Sequence, residues 1–154
     1  MNSKYIDAFA NAVFNVIPML GIENVVQEDM KELGKNIETE GVVCIVGIIG
    51  DLTGNVFFSM SEDGAKEIAS KMMGGMEVVE FDELTQSAIS ELSNMLAANA
   101  CISLSEMEKN VDISTPTLMQ GVFTLSGSFD QVTCIEMKID GLHFNVYISL
   151  EGKS

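Results

Sequence analysis

Between Tyr5 and Leu20 the apolar side chains fall at Ile6, Phe9, Ala10, Val13, Ile17 and Leu20, the three-and-four spacing that turns one stripe of an α-helix toward a core. Pro18 and Gly21 predict where that helix ends. The period then changes. Gly41 to Ile49 and Asn55 to Met60 are apolar, β-branched and aromatic runs of strand length. The intervening Gly50-Asp51-Leu52-Thr53-Gly54 has the composition of a short loop, so a β-hairpin is expected. Ser61 is placed to cap a following helix, which should run to Met73 and stop at Gly74-Gly75. A longer helix is predicted from about Asp82 to Ser105, with Asp82 and Glu83 at the end where the helix dipole favours negative charge. Farther on, Pro116 precedes Thr117-Leu118-Met119. Gly121 to Leu125, Thr133 to Ile139 and Phe144 to Leu150 alternate like strands, with Asp140-Gly141 as a turn, and together they predict a terminal β-meander.

One run echoes another. Asn55-Val56-Phe57-Phe58-Ser59-Met60 matches Asn145-Val146-Tyr147-Ile148-Ser149-Leu150 in type, position by position. The echo predicts two pseudo-equivalent halves, each giving a helix and strands to one sheet. The expected fold class is therefore α+β: a mixed or antiparallel sheet with long helices on one face, in a single domain spanning residues 1–154.

Composition narrows the possibilities. With 47% hydrophobic residues the chain is rich enough to bury one continuous core. Its longest apolar run, VVCIVGIIG from Val42 to Gly50, is less than half of the roughly 20 residues a membrane-spanning helix needs, and reads as a buried strand. The start MNSKYIDAFA lacks the basic, apolar and small-residue succession of an export signal, so a cytoplasmic location is expected. Cys44, Cys101 and Cys134 sit far apart among apolar neighbours, which fits free buried thiols. The net charge is −15, and every basic residue is a lysine. Such a chain is unsuited to nucleic acid or an anionic membrane, and without arginine it has no arginine finger to offer. Phosphate chemistry would have to use a partner's cations or position a water.

The long helix carries the candidate chemistry. At about 100° per residue, Leu84, Ala88, Leu92, Met95 and Leu96 fall in one sector, read as core. Ser87, Glu91, Asn94 and Ala98 form a neighbouring polar ridge whose small Ala98 leaves room for close approach. A carboxamide donates and accepts hydrogen bonds at once, so Asn94 could hold a water in line with a phosphorus atom. Glu91, negatively charged, suits pairing with a partner's lysine. On the residues alone, a solvated helix face accounts for the same stripe.

Other residues point to bland roles. His143 has no nucleophile or ligand set near it in sequence and reads as structural or surface, while Met72, Met73, Met95 and Met107 read as core filling. Gly50 to Gly54 lacks the lysine and helix of a phosphate-binding loop, and Glu77, Glu80, Asp82 and Glu83 lack the spacing of a metal cage.

Ser87, Glu91, Asn94 and Pro116, with the run ELSNMLAANA, the MMGG before it and the STPTLMQG after it, resemble the signature of the CheC and CheX phosphatases. In that family a Ser or Asp, a Glu four residues on, an Asn three further and a downstream Pro recur together. The likeness covers essentially the whole chain, although Pro116 stands one residue nearer to Asn94 than in the CheC form. The first helix has Asp7, Asn11 and Phe14 at the corresponding places, so a second motif is broken and the resemblance is to the CheX type, with one site per chain and a homodimer. It implies a CheC/CheX-like fold and hydrolysis of the phosphoaspartate of a phosphorylated CheY-like response regulator. Asn94 and Glu91 would be catalytic, and Ser87, Glu91, Ala98 and Pro116 would contact the partner. The chain itself would bind no cofactor or metal, the Mg²⁺ being supplied by the receiver domain. The competing expectation is a non-catalytic receiver-binding or flagellar-switch adaptor using the same helix, and an inert dimerisation module is a third.

Overall fold

The N-terminal apolar stripe forms α1, Ser3–Val16, and a 3₁₀ turn, Ile17–Leu20, in the computed structural model, which describes residues 3–152. The turn ends as Pro18 and Gly21 predict: Gly21 takes φ +89°, and its N–H donates to Pro18 O. Ser61 caps α2, Glu62–Met72, by accepting from Gly64 N at 2.9 Å. Asp82 caps α3, Glu83–Glu106, by accepting from Thr85 N at 2.9 Å.

Among the described residues seven strands make one sheet: β1 Val25–Leu33, β2 Asn36–Gly50, β3 Leu52–Met60, β4 Val111–Ile113, β5 Thr117–Ser126, β6 Val132–Ile139 and β7 Leu142–Gly152. They lie in the order β1-β6-β7-β3-β2-β4, with β5 also on β2, and every pairing is antiparallel. The α+β class is as expected. Several details differ from the sequence reading. The β2–β3 turn is shorter than Gly50–Gly54, because Leu52 is buried in the core and Thr53 and Gly54 pair with β7. Gly54, at φ +149°, lies so close to Ser149 O that a Cβ there would stand 1.9 Å from it, so the glycine serves strand packing rather than a loop. The C-terminal strands form no meander: β6 and β7 make a hairpin through Asp140-Gly141, but β5 crosses to pair with β2.

The echo proves to be the centre of the sheet. Its two segments pair with each other, Asn55 opposite Ser149 and Ser59 opposite Asn145, with Phe57 and Tyr147 facing across a local pseudo-twofold axis. The outer strands are exchanged between the halves, β1 lying on β6 and β5 on β2. All three helices cover one face, where Phe9, Val13, Ile89, Leu92 and Leu96 meet Val42, Val46, Phe58 and Val146 in the main core. A smaller apolar cluster, including Val43, Phe57, Cys134 and Tyr147, fills the opposite face. Met72, Met73, Met95 and Met107 pack against the main core as expected. Cys44 and Cys134 are buried and free, whereas Cys101, read as buried, is only half-buried near the end of α3. Burial raises all three thiols, Cys134 to about 11 with Glu136 adding to the effect. No helix among the described residues is long and apolar enough to cross a membrane.

Candidate functional site

The Asp82 cap fixes the start of α3 and so the direction of every side chain on it. The Asp82 carboxyl accepts from both Thr85 N and Thr85 Oγ1, at 2.9 and 2.8 Å, and these bonds hold it below the usual carboxylate range. Thr85 is itself buried and shares its one hydroxyl hydrogen between Asp82 and, at 3.3 Å, Glu80 O. The buried face of the helix then runs through Ile89, Leu92, Ser93, Leu96, Ala97, Ala100 and Leu104. It is rotated from the sector read in the sequence. Leu92 and Leu96 belong to it, Ala88 and Met95 are half-buried at its margin, and Leu84 is 59% exposed. The core sector follows what β2 offers beneath the helix, including Cys44, which interacts with the hydroxyls of Ser93 and Ser90.

Opposite the exposed side of α3, the outermost strand is broken. β4 ends at Ile113 and β5 begins at Thr117, leaving Ser114-Thr115-Pro116 outside the ladder. Pro116 has no N–H to give a ladder, and Ser114 ties the gap to β2: its N–H donates to Gly47 O at 2.9 Å and its Oγ accepts from Gly47 N at 2.8 Å. A Cβ at Gly47 would lie 3.2 Å from that Oγ, so the missing side chain makes room for the tie.

Helix and break enclose an open groove of about 740 Å³. Ser87, Glu91, Asn94 and Pro116, chosen from the sequence, all line it. Ala98 continues the same stripe but is not among the lining residues. Glu91 and Ser87 are exposed and Asn94 is half-buried, and among the described residues the side chains of Glu91 and Asn94 have no intramolecular hydrogen-bond or ion-pair partner. Their polar atoms are open to something outside the chain. The lining carries Glu83 and Glu91 and, among the described residues, no lysine, so the groove by itself repels a phosphoryl group. Sequence reasoning missed Ser90, Ser114 and Thr115, which also line it. The signal available for the last two was the proline that ends their run, since a Pro after strand-like residues marks a break.

Elsewhere, His143 is exposed on β7. A second depression of about 580 Å³, between Glu32, Thr133 and Asp130, holds none of the residues chosen from the sequence. Among the described residues no three His, Cys, Asp or Glu side chains are grouped to hold a metal ion.

Known proteins share both the fold and the sequence. Residues 42–138 match the family described as chemotaxis phosphatase CheX. The chain is 36% identical over 123 residues to the CheY-P phosphatase CheX of Thermotoga maritima, an alignment covering 79% of this chain and 78% of that one. A CheC-like superfamily protein from Shewanella sp. PV-4 superposes with a TM-score of 0.89 at 22% identity, covering 99% of this chain and all of the other. CheX in a CheX–CheY–BeF₃–Mg²⁺ complex from Borrelia burgdorferi gives 0.70 at 26% identity, covering 97% and 96%. With a family match spanning residues 42–138 and a 36% identical relative aligned over 79% of its length, this chain belongs to the chemotaxis phosphatase CheX family.

Proposed function

We propose that the protein hydrolyses the aspartyl phosphate of a CheY-like response regulator, with Asn94 positioning the attacking water and Glu91 anchoring the partner. The single observation that carries this reading is the groove: Ser87, Glu91, Asn94 and Pro116, spread over a helix and a distant strand break, line one open surface. The groove's negative charge supports the rest. Among the described residues its lining has no cation with which to neutralise a phosphoryl group, so the Mg²⁺ and the lysine must arrive with the receiver. The Asn94 amide, free of internal partners, accepts from a water and donates to it without taking its proton. The water oxygen forms its bond to phosphorus as the bond from phosphorus to the aspartyl oxygen breaks. The products are inorganic phosphate and the free carboxylate. Glu91, exposed on the preceding turn, is placed to meet a lysine beside the phosphorylated aspartate, which fixes the angle of approach. Ser87 and Pro116 bound the groove on either side, and Ala98 leaves clearance beyond it. The reading extends to residues 1–154 acting as one cytoplasmic domain and pairing as a homodimer with one site per chain; Asn11 in place of the Glu and Phe14 in place of the Asn support the single site.

The test is release of inorganic phosphate from a Mg²⁺-bound, phosphorylated CheY-like receiver. The parent chain should accelerate it. Asn94→Ala should lose about a hundredfold of that acceleration while binding the receiver within a few-fold of the parent, whereas Glu91→Ala should weaken binding. Binding without acceleration by the parent would replace the enzyme with an adaptor.

A further inference from the structure

The exposed ridge of α3 begins one turn earlier than its polar residues. At about 100° per residue, Leu84, Ser87, Glu91, Asn94 and Ala98 share a sector roughly 80° wide, and Leu84 is 59% exposed. Val79 and Met76, 71% and 61% exposed, stand beside it. The three line a shallow cup of about 330 Å³ whose rim carries Glu77, Glu80 and Asp82. Their outward setting is fixed. Ser70 Oγ donates to Met76 O at 2.7 Å, Thr85 Oγ1 to Glu80 O at 3.3 Å, and Gln86 Nε2 to Phe81 O at 3.3 Å. Gln86 and Glu83 also line the Asn94 groove, so the cup and the groove adjoin along the first turns of one helix. Apolar side chains clustered and held in water are a mark of a contact surface.

We propose that Leu84, Val79 and Met76 form an apolar docking cup for the same receiver that presents its phosphoaspartate to Asn94, and that this cup sets which receiver is accepted. The inference rests on the reading given above. Charge selects the occupant: the described residues lining cup and groove include Glu77, Glu80, Asp82, Glu83 and Glu91 and no lysine. The complementary surface is an apolar side chain flanked by lysines, close to a phosphoryl group and its Mg²⁺. A second copy of this chain docked on the same surface would set these carboxylates against one another.

The experiment compares the parent, Leu84→Asp and Leu84→Met in two assays: phosphate release as a function of phosphorylated receiver concentration, and equilibrium binding of the receiver activated with beryllofluoride and Mg²⁺. Leu84→Asp should raise KM and weaken binding roughly ten- to a hundredfold, the range expected for losing a buried leucine contact, with kcat near the parent's at saturation. Leu84→Met should restore both, and all three chains should melt together, since the side chain is mostly exposed and belongs to neither core cluster. Unchanged KM and binding for Leu84→Asp, with the parent active, would overturn the cup and leave the phosphatase reading standing. Leu84-dependent binding by a parent that releases no phosphate would keep the cup and remove the enzyme. A change in oligomeric state with unaltered receiver binding would assign the surface to self-association and overturn the proposal.

Discussion

Across the pseudo-twofold axis, one outer strand runs on where its counterpart stops. Shifted by the interval that relates Asn55 to Asn145, Ile48 and Ile45 on β2 correspond to Lys138 and Ile135 on β6. β6 is met at those points by Val26 and Met30 of a single strand, β1, which passes between them with only a bulge at Gln27–Asp29. β2 is met by Ile113 and Thr117, which belong to two strands with Ser114-Thr115-Pro116 between them. The facing residues differ in the same sense: Gly47 admits the Ser114 tie, while its counterpart Met137 pairs with Gln27 at the edge of that bulge. The helices differ too, with Asn11 and Phe14 on α1 against Glu91 and Asn94 on α3. The groove combines two features in one half, a Glu91–Asn94 pair and an opened strand, and the first half has neither.

That comparison can be broken from either side. The largest effect is expected from closing the opened strand. Replacing Ser114, Thr115 and Pro116 by Gln, Glu and Asp, the residues of the continuous strand, should cut phosphate release at least tenfold, since about 1.4 kcal/mol of lost positioning is already a factor of ten, while the chain stays folded by circular dichroism. Full activity in that variant would mean that the helix alone makes the site. A smaller effect follows from loosening the helix start. Asp82→Ala should lower the melting temperature by a few degrees at pH 7. Because the folded carboxyl is held below the range it has in the unfolded chain, its stabilisation is complete above about pH 4 and fades as pH falls through the depressed folded value. Thermal melts of parent and variant should therefore converge as the pH is taken below the range of a free carboxyl group; a constant gap would assign the effect to something other than the carboxylate. The smallest effect, none, is expected from repairing the first helix by itself. Asn11→Glu with Phe14→Asn should add no turnover to the parent and restore none to Asn94→Ala, because β1 still closes the place a groove would occupy. Recovered phosphate release would show that the break in the strand is dispensable.

What the sequence made legible follows from where each signal lies. Helix ends carried by Ser61, Asp82 and Gly21 were readable because capping is local chemistry. The groove's helix side was readable from spacing and family resemblance. β1 was not, since Val25–Leu33 is an edge strand exposed on both faces along most of its length and shows no alternation of apolar and polar residues. Leu84 was assigned to the core because spacing fixes the angles between side chains but not which angle faces the sheet; that choice belongs to the packing of α3 on β2 and on α1. The course of β5 was misread for a related reason: strand periodicity identifies a strand but carries no information about its neighbour.

The exchange of outer strands bears on how such a chain comes to exist in a cell. Val25 pairs with Ile139, so during synthesis β1 leaves the ribosome long before the strand it will lie on has been made, and β2 likewise waits for β5. Contacts so distant in sequence close late and make for slow folding, with edges unpaired in the meantime. The run of Glu28, Asp29, Lys31 and Glu32 along β1 keeps that waiting edge from pairing with its like on another nascent chain. The half that lacks a groove thus remains indispensable: without its strand, the half that has one could not finish folding.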